Sequence, residues 1–116
     1  MQRQNRLRRS ADFDRLRAEG RVWRHPLLTM SVAPNALTYN RYGFITSRRL
    51  GNAVIRNRVR RLLREVVRRL MPRLKAGYDI AFIARNEIAG QPYNKVLEAL
   101  EGLFKRGGLW QEEGKV

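Results

Sequence analysis

The clearest periodic pattern lies between residues 55 and 72. Apolar side chains recur there at spacings of three and four, at Val59, Leu62, Leu63, Val66, Val67 and Leu70. An α-helix has 3.6 residues per turn, so these positions form one apolar stripe. The pattern predicts a long helix that starts near Ile55–Asn57 and ends at Pro72, which cannot continue a helix.

Other segments alternate with the period of two that is typical of strands. Tyr42, Phe44 and Thr46 would point to one side, and Gly43, Ile45 and Ser47 to the other. Residues 27–33 and the compact apolar run 78–84 also read as strands. Residues 21–24 are a candidate for a further short strand.

Two more helices complete the pattern. Ser10 is a candidate N-cap for a short helix over residues 11–19, with Phe13 and Leu16 on one side. A last helix follows Pro92 and stops at Gly107-Gly108. The order α-β-β-β-α-β-α predicts an α+β fold, an α-β sandwich with helices on a sheet, in a single domain over residues 1–116. The basic arm 1–9 and the tail 110–116 are predicted to be flexible.

The charge of the chain indicates the kind of partner that it binds. The 116 residues include 25 Lys and Arg against 10 Asp and Glu, a net charge of +15. Residues 1–75 hold 20 of the basic side chains but only 4 of the acidic ones. Such a field attracts polyanions, and nucleic acid is the usual partner. The chain has no cysteine, which excludes thiolate chemistry, and no apolar run long enough to cross a membrane, so we expect a cytoplasmic protein.

Arginine is concentrated on the predicted long helix. Six arginines lie between residues 58 and 69, and Glu65 is the only acid there. A solvated helix face usually mixes charges of both signs, because like charges four residues apart destabilise a helix slightly. An anionic partner that neutralises the arginines would remove this cost. The segment therefore predicts an RNA- or DNA-binding surface.

The sequence of this segment resembles a known family. Residues 51–65 read GNAVIRNRVRRLLRE, which is similar to the signature of the bacterial ribonuclease P protein. The segments ADF at 11–13, YGFITSRR at 42–49 and GYDIAFIAR at 77–85 resemble other segments of that family, in the expected order. The resemblance covers about residues 6 to 109.

The resemblance implies a fold and a function. The fold would contain a left-handed β-α-β crossover through the arginine-rich helix, against the usual handedness. The protein would be the subunit of ribonuclease P that assists endonucleolytic removal of the 5′ leader from precursor tRNA. Its expected partners are the ribonuclease P RNA and precursor tRNA, with no membrane and no small-molecule substrate. The RNA would carry the chemistry with bound magnesium, and the chain itself would bind no metal or other cofactor and supply no catalytic residue.

The same resemblance assigns roles to individual residues. Those expected to bind the catalytic RNA are Arg48, Arg49, Asn52, Arg56, Asn57, Arg58, Arg60, Arg61, Arg64 and Arg68. Those expected to line a cleft for the precursor-tRNA leader are Phe13, Arg17, Leu28, Met30, Ile45 and Ser47. The family more often has aromatic residues at the positions of Arg17 and Met30, so weaker base stacking is expected in this chain.

Two other functions fit parts of the sequence. A structural RNA-binding protein, such as a ribosomal protein, would share the basic α+β character without acting on tRNA ends. A self-sufficient protein nuclease would need converging carboxylates to hold its metal ions. Only four acids precede residue 76, and three of them fall within one short helix, which argues against the nuclease.

Overall fold

The computed structural model describes residues 2–112. It contains three helices, α1 (Ser10–Glu19), α2 (Ala53–Leu70) and α3 (Tyr93–Arg106). The four strands are β1 (Arg21–Arg24), β2 (Leu28–Pro34), β3 (Arg41–Ile45) and β4 (Tyr78–Ala84). The chain order is the predicted α-β-β-β-α-β-α, and the short strand over residues 21–24 is confirmed. No helix within residues 2–112 is long and apolar enough to span a membrane.

The four strands form one sheet in the order β1-β2-β4-β3. Strand β2 is antiparallel to both β1 and β4, whereas β3 and β4 are parallel. Parallel neighbours need a crossover connection, and α2 is part of it. Helices α2 and α3 pack on one face of the sheet and α1 packs on part of the other face, which makes the predicted sandwich.

The main core lies between the sheet and the helices α2 and α3. Phe82 of β4 is wholly buried there, with its ring centre 5.8 Å from that of Phe44 and 5.8 Å from that of Phe104. Leu63 and Val66 of the apolar stripe are also wholly buried. Burial of these side chains fixes which side of α2 faces the sheet, and its arginines therefore lie on the remaining sides.

Helix α2 begins earlier than the apolar stripe suggests. The side-chain oxygen of Asn52 accepts a hydrogen bond from the backbone N–H of Ile55 at 3.0 Å and caps the helix. Gly51 precedes it with φ 151°, where a Cβ atom would lie 2.8 Å from the Ile55 side chain. The predicted cap at Ser10 is wrong by one residue, because Arg9 holds that position in α1 without a side-chain cap.

Parts of the two segments predicted to be flexible, the arm 1–9 and the tail 110–116, contact the rest of the domain within residues 2–112. Asn5 and Leu7 are buried against β3, and the Leu7 N–H donates to the Tyr42 carbonyl at 2.8 Å. Residues 5–7 of the arm therefore contact the edge of the sheet at β3. In the tail 110–116, Trp110 pairs with Leu74. Residues 113–116 of the tail lie outside the described residues.

Candidate nucleic-acid interface

One row of arginines on α2 lies along the edge strand β3 of the sheet. The Arg60 guanidinium donates to the Thr46 hydroxyl and to the Asn57 side-chain oxygen. The Arg64 guanidinium lies over the Phe44 ring, 6.0 Å from its centre. Arg56 donates to the Gly51 carbonyl at 3.2 Å and so holds the turn before the helix. These contacts fix the direction of the row without neutralising its charge.

A second group of arginines contains side chains from both α2 and the N-terminal segment. Arg6, Arg61, Arg64 and Arg68, with Glu65, surround a depression of about 220 Å³ that we call the arginine hollow. Burial lowers the pKa of Arg64, and the positive charges of Arg6, Arg60 and Arg61 lower it further. Among the described residues none of the four arginines forms an ion pair with a carboxylate. The hollow thus concentrates positive charge that an anion would neutralise.

The remaining predicted RNA-binding residues extend this surface. Arg48 and Arg49 are exposed on the 3₁₀ turn Arg48–Leu50, just before the capping residue Asn52. Arg58 is exposed on α2, but it is two residues from Arg60 and so lies roughly 200° around the helix axis from it. The ten predicted residues therefore do not form one flat face. They wrap around the exposed sides of α2, and the structure adds Arg6 to them.

A groove runs beside α1, on the face of the sheet that is opposite to α2 and α3. This groove, which we call the α1 groove, has a volume of about 450 Å³. Its lining residues come from α1 and all four strands: Phe13, Leu16, Arg17, Val22, Arg24, Thr29, Ser31, Ile45, Ala81 and Ile83. At Gly43 a Cβ atom would lie 2.6 Å from the Phe13 ring, so glycine lets α1 approach β3 closely.

The α1 groove contains only half of the residues predicted for a cleft. Phe13, Arg17 and Ile45 line it as predicted. Leu28 and Met30 were predicted wrongly, because both are wholly buried on the other face of the sheet, under α2 and α3. Side chains alternate along a strand, so Thr29 and Ser31 of β2 face the groove in their place.

Two further points correct the predicted cleft. Ser47 is exposed, follows the end of β3 and is absent from the groove lining. Because Met30 is a core residue, an aromatic side chain at that position would not face the groove either. Val22, Arg24, Ala81 and Ile83 are lining residues that the sequence did not reveal.

A buried ion-pair network ties α1 to the sheet. Asp79 is wholly buried, and its carboxylate accepts hydrogen bonds from Arg15 (2.6 Å), Arg41 (2.7 and 2.8 Å) and Asn35 (3.0 Å). Burial alone would raise the pKa of Asp79, but the bonds from Arg41, Asn35 and Arg15 outweigh it and lower the pKa. Arg41 also reaches Asp12 of α1 at 3.5 Å. The network therefore fixes α1, and with it one wall of the α1 groove.

Comparisons with known protein families and sequences identify the same family in each case. A family model described as Ribonuclease P matches residues 1–108. The chain is 44% identical over 110 residues to the ribonuclease P protein component of Chloroflexus aurantiacus, covering 94% of this chain and 82% of that protein. For the component from Chloroflexus aggregans the identity is 50% over 110 residues, with the same coverage of both chains.

Solved structures show the same likeness. The fold is similar to that of the Staphylococcus aureus RNase P protein, with a TM-score of 0.84 and 26% identity over 92% of this chain and 98% of that one. The Thermotoga maritima RNase P protein gives a TM-score of 0.81 and 30% identity over 87% of this chain and 96% of that one.

Proposed function

Because the chain belongs to the ribonuclease P protein family, we propose that it binds the catalytic RNA of that enzyme and the 5′ leader of precursor tRNA. As a ribonuclease P protein component it is part of an endoribonuclease that processes tRNA, and its holoenzyme contains RNA. The two sides of the domain suggest which RNA binds where. The exposed arginines of α2 and of the turn before it, together with Arg6, form what we call the arginine surface, and this surface would hold the catalytic RNA. The α1 groove, on the other face of the sheet, would receive the leader.

The arginine hollow is the observation that carries the first half of this proposal. Four guanidinium groups from two separate segments meet there, and among the described residues none of them forms an ion pair, although Glu65 lines the same hollow. Guanidinium groups bind phosphate through paired hydrogen bonds, and a folded RNA presents many phosphates at such spacings. A surface whose charges repel one another in the free protein favours binding to a polyanion.

The chemistry of the α1 groove supports the second half. It combines one aromatic side chain, Phe13, with the basic side chains Arg17 and Arg24. Unpaired bases stack on aromatic rings, and basic side chains follow the phosphate backbone. The groove is therefore suited to a single strand, which the leader of a precursor tRNA provides. A duplex would present its phosphates but no free base to Phe13.

We assign bond cleavage to the RNA subunit with magnesium, and we place the holoenzyme in the cytoplasm. Within residues 2–112, no three His, Asp or Glu side chains lie close enough to hold a metal ion together. The one wholly buried carboxylate there, Asp79, is already bonded to two arginines. The role of this chain in the reaction would then be to bind and orient the two RNAs.

Binding measurements on single variants test the proposal. Arg61→Ala should weaken affinity for the ribonuclease P RNA and reduce the salt dependence by roughly one phosphate contact. Lys95→Ala, which removes an exposed cation from α3, is the matched control and should change both little. Phe13→Ala should weaken binding of precursor tRNA more than that of mature tRNA. Equal effects of Arg61→Ala and Lys95→Ala would count against the arginine surface. A chain that bound ribosomal RNA better would favour a structural RNA-binding protein.

A further inference from the structure

The floor of the α1 groove is a straight row of side chains across all four strands. Ile45 pairs with Ile83, Ile83 with Thr29, and Thr29 with Arg24. Neighbouring strands are about 4.8 Å apart, so the row from β3 to β1 spans about 14 Å. This distance is long enough for a short single-stranded segment lying across the strands.

The two ends of this row differ in chemistry. Phe13 lies at the β3 end, where its ring contacts the backbone at Gly43. Arg24 lies at the β1 end, on the edge strand of the sheet. The Arg24 side chain is exposed, and among the described residues it forms no ion pair. One end thus offers a stacking surface and the other a free positive charge.

The second arginine of the groove is less available. The Arg17 guanidinium pairs with the Asp14 carboxylate at 2.9 Å, one turn away on α1. Both side chains are mostly exposed, so the pair contributes little to stability, but the Asp14 carboxylate competes with a phosphate for the Arg17 guanidinium. Arg24 is therefore the stronger phosphate ligand of the two.

The floor between the ends has little capacity to distinguish bases. Ile45, Ile83 and Ala81 present only apolar atoms to the groove. The Ser31 hydroxyl donates to the Leu16 carbonyl at 3.4 Å, so its proton is already in use. Thr29 remains as the one floor side chain with a hydroxyl that makes no hydrogen bond to the described residues. Reading a base requires donors and acceptors at its edge, and a single hydroxyl supplies few of them.

We propose that Arg24 binds a leader phosphate and that the leader crosses the strands from Phe13 to Arg24 with little sequence preference. The inference rests on the proposed function of the α1 groove and adds to it a phosphate ligand, a path and a specificity. Affinity along this path comes from one stacked base, apolar contact and one charge. Leader length therefore matters more than leader sequence, because a one-nucleotide leader cannot span the roughly 14 Å from the β3 end to the β1 end of the row.

The chain offers a matched control on the same strand. Arg21 is also an exposed arginine of β1, but it lies on the other face of the sheet, with its guanidinium 5.2 Å from the Trp23 ring centre. The holoenzyme would be assembled with wild-type protein, Arg24→Ala, Arg24→Lys or Arg21→Ala. Dissociation constants would be measured for precursor tRNA with long and one-nucleotide leaders and for mature tRNA, at several salt concentrations.

Arg24→Ala is expected to weaken binding of the long-leader substrate by roughly threefold to tenfold. Its salt slope for that substrate should fall by about 0.7, the value for one phosphate of a single strand. The one-nucleotide leader and mature tRNA should be unaffected, Arg24→Lys should keep most of the affinity, and Arg21→Ala should resemble wild type. Wild-type affinities for long leaders of different sequence should agree within about threefold.

Three results would overturn the inference, and only the third would also overturn the proposed function of the α1 groove. If Phe13→Ala lowers the preference for precursor over mature tRNA but Arg24→Ala does not, the groove holds the leader and the path to Arg24 is wrong. If long leaders of different sequence differ by more than about tenfold, the floor reads bases after all. If the wild-type holoenzyme does not prefer precursor over mature tRNA, the α1 groove is not a leader site and both proposals fail.

Discussion

Replacing Asp79 with asparagine tests the network that fixes α1. The Asp79 carboxylate is wholly buried and accepts two hydrogen bonds from Arg41 and one each from Arg15 and Asn35. Asp79→Asn keeps the shape of the side chain but removes its negative charge. Two arginines would then face a neutral group. Because each carboxylate oxygen accepts two hydrogen bonds, two of the four bonds would meet the amide nitrogen instead of an oxygen.

The expected loss of unfolding free energy depends on two facts: the Asp79 carboxylate is buried, and its arginine partners are partly exposed. Removing one partner of a buried ion pair costs about 3–5 kcal/mol. The Arg15 and Arg41 side chains are 30% and 26% exposed, so water can partly solvate them once the carboxylate is gone. We therefore expect the lower end, about 3 kcal/mol of unfolding free energy. For a domain of this size that is a large part of the roughly 5–15 kcal/mol available.

Urea unfolding at neutral pH, followed by circular dichroism, measures this loss. The matched control is Glu101→Gln, which neutralises the exposed partner of Lys105, 2.9 Å away one helical turn along α3. That variant should lose less than about 1 kcal/mol. A loss below about 1 kcal/mol for Asp79→Asn as well would refute the reasoning, because the network would then contribute no more than a surface pair.

Three further predictions come from the same structure. The pKa of Asp79 is lowered in the folded protein, so the ionised carboxylate stabilises the fold fully above the ordinary pKa of 3.8, and this stabilisation is lost as the pH falls through the lower folded pKa. When the free energy of unfolding is measured against pH, the difference between wild type and Asp79→Asn should narrow below about pH 4. A difference that stays constant would contradict this. Gly43→Ala places a Cβ atom 2.6 Å from the Phe13 ring and 3.2 Å from the Leu7 side chain, so it should lower the preference for precursor over mature tRNA, and an unchanged preference would contradict this. Asn52→Ala removes the cap on the Ile55 N–H and should cost about 1 kcal/mol in a urea titration, whereas no loss would mean that water replaces the cap fully.

The sequence predicts the elements of this fold well where the periodicity is strong. The apolar stripe of α2 and the apolar run of β4 identify both elements, because burial on one side or on both sides imposes those patterns. The start of α2 is less visible, since it depends on the cap at Asn52 and not on an apolar residue.

The groove could be predicted only in part. In β2 the large apolar side chains Leu28 and Met30 mark the core face, and Thr29 and Ser31 mark the groove face. That alternation was readable in the sequence, but which face served the groove depended on pairing with β4 and β3. A shift by one residue moves every side chain to the other face, which is why both β2 residues assigned to the cleft were wrong.

Contacts between segments that are far apart in the chain could not be predicted from the sequence pattern. Arg6 joins the arginine hollow because the N-terminal segment pairs with β3 at Tyr42, and no local pattern signals that pairing. Asp79 stands out in the sequence as the one charge within β4, but its partners Arg15 and Arg41 lie 64 and 38 residues away. Tertiary packing alone brings these charges together.

Single-turnover cleavage of a precursor tRNA would show whether this protein assists the catalytic RNA. The ribonuclease P RNA from the same source would be assayed at low magnesium, with and without this protein, beside the protein alone. We predict strong stimulation by the wild-type protein, weaker stimulation by Arg61→Ala, and no cleavage by the protein alone. Tight RNA binding without stimulation would contradict this prediction and would point to a structural RNA-binding protein of the same fold.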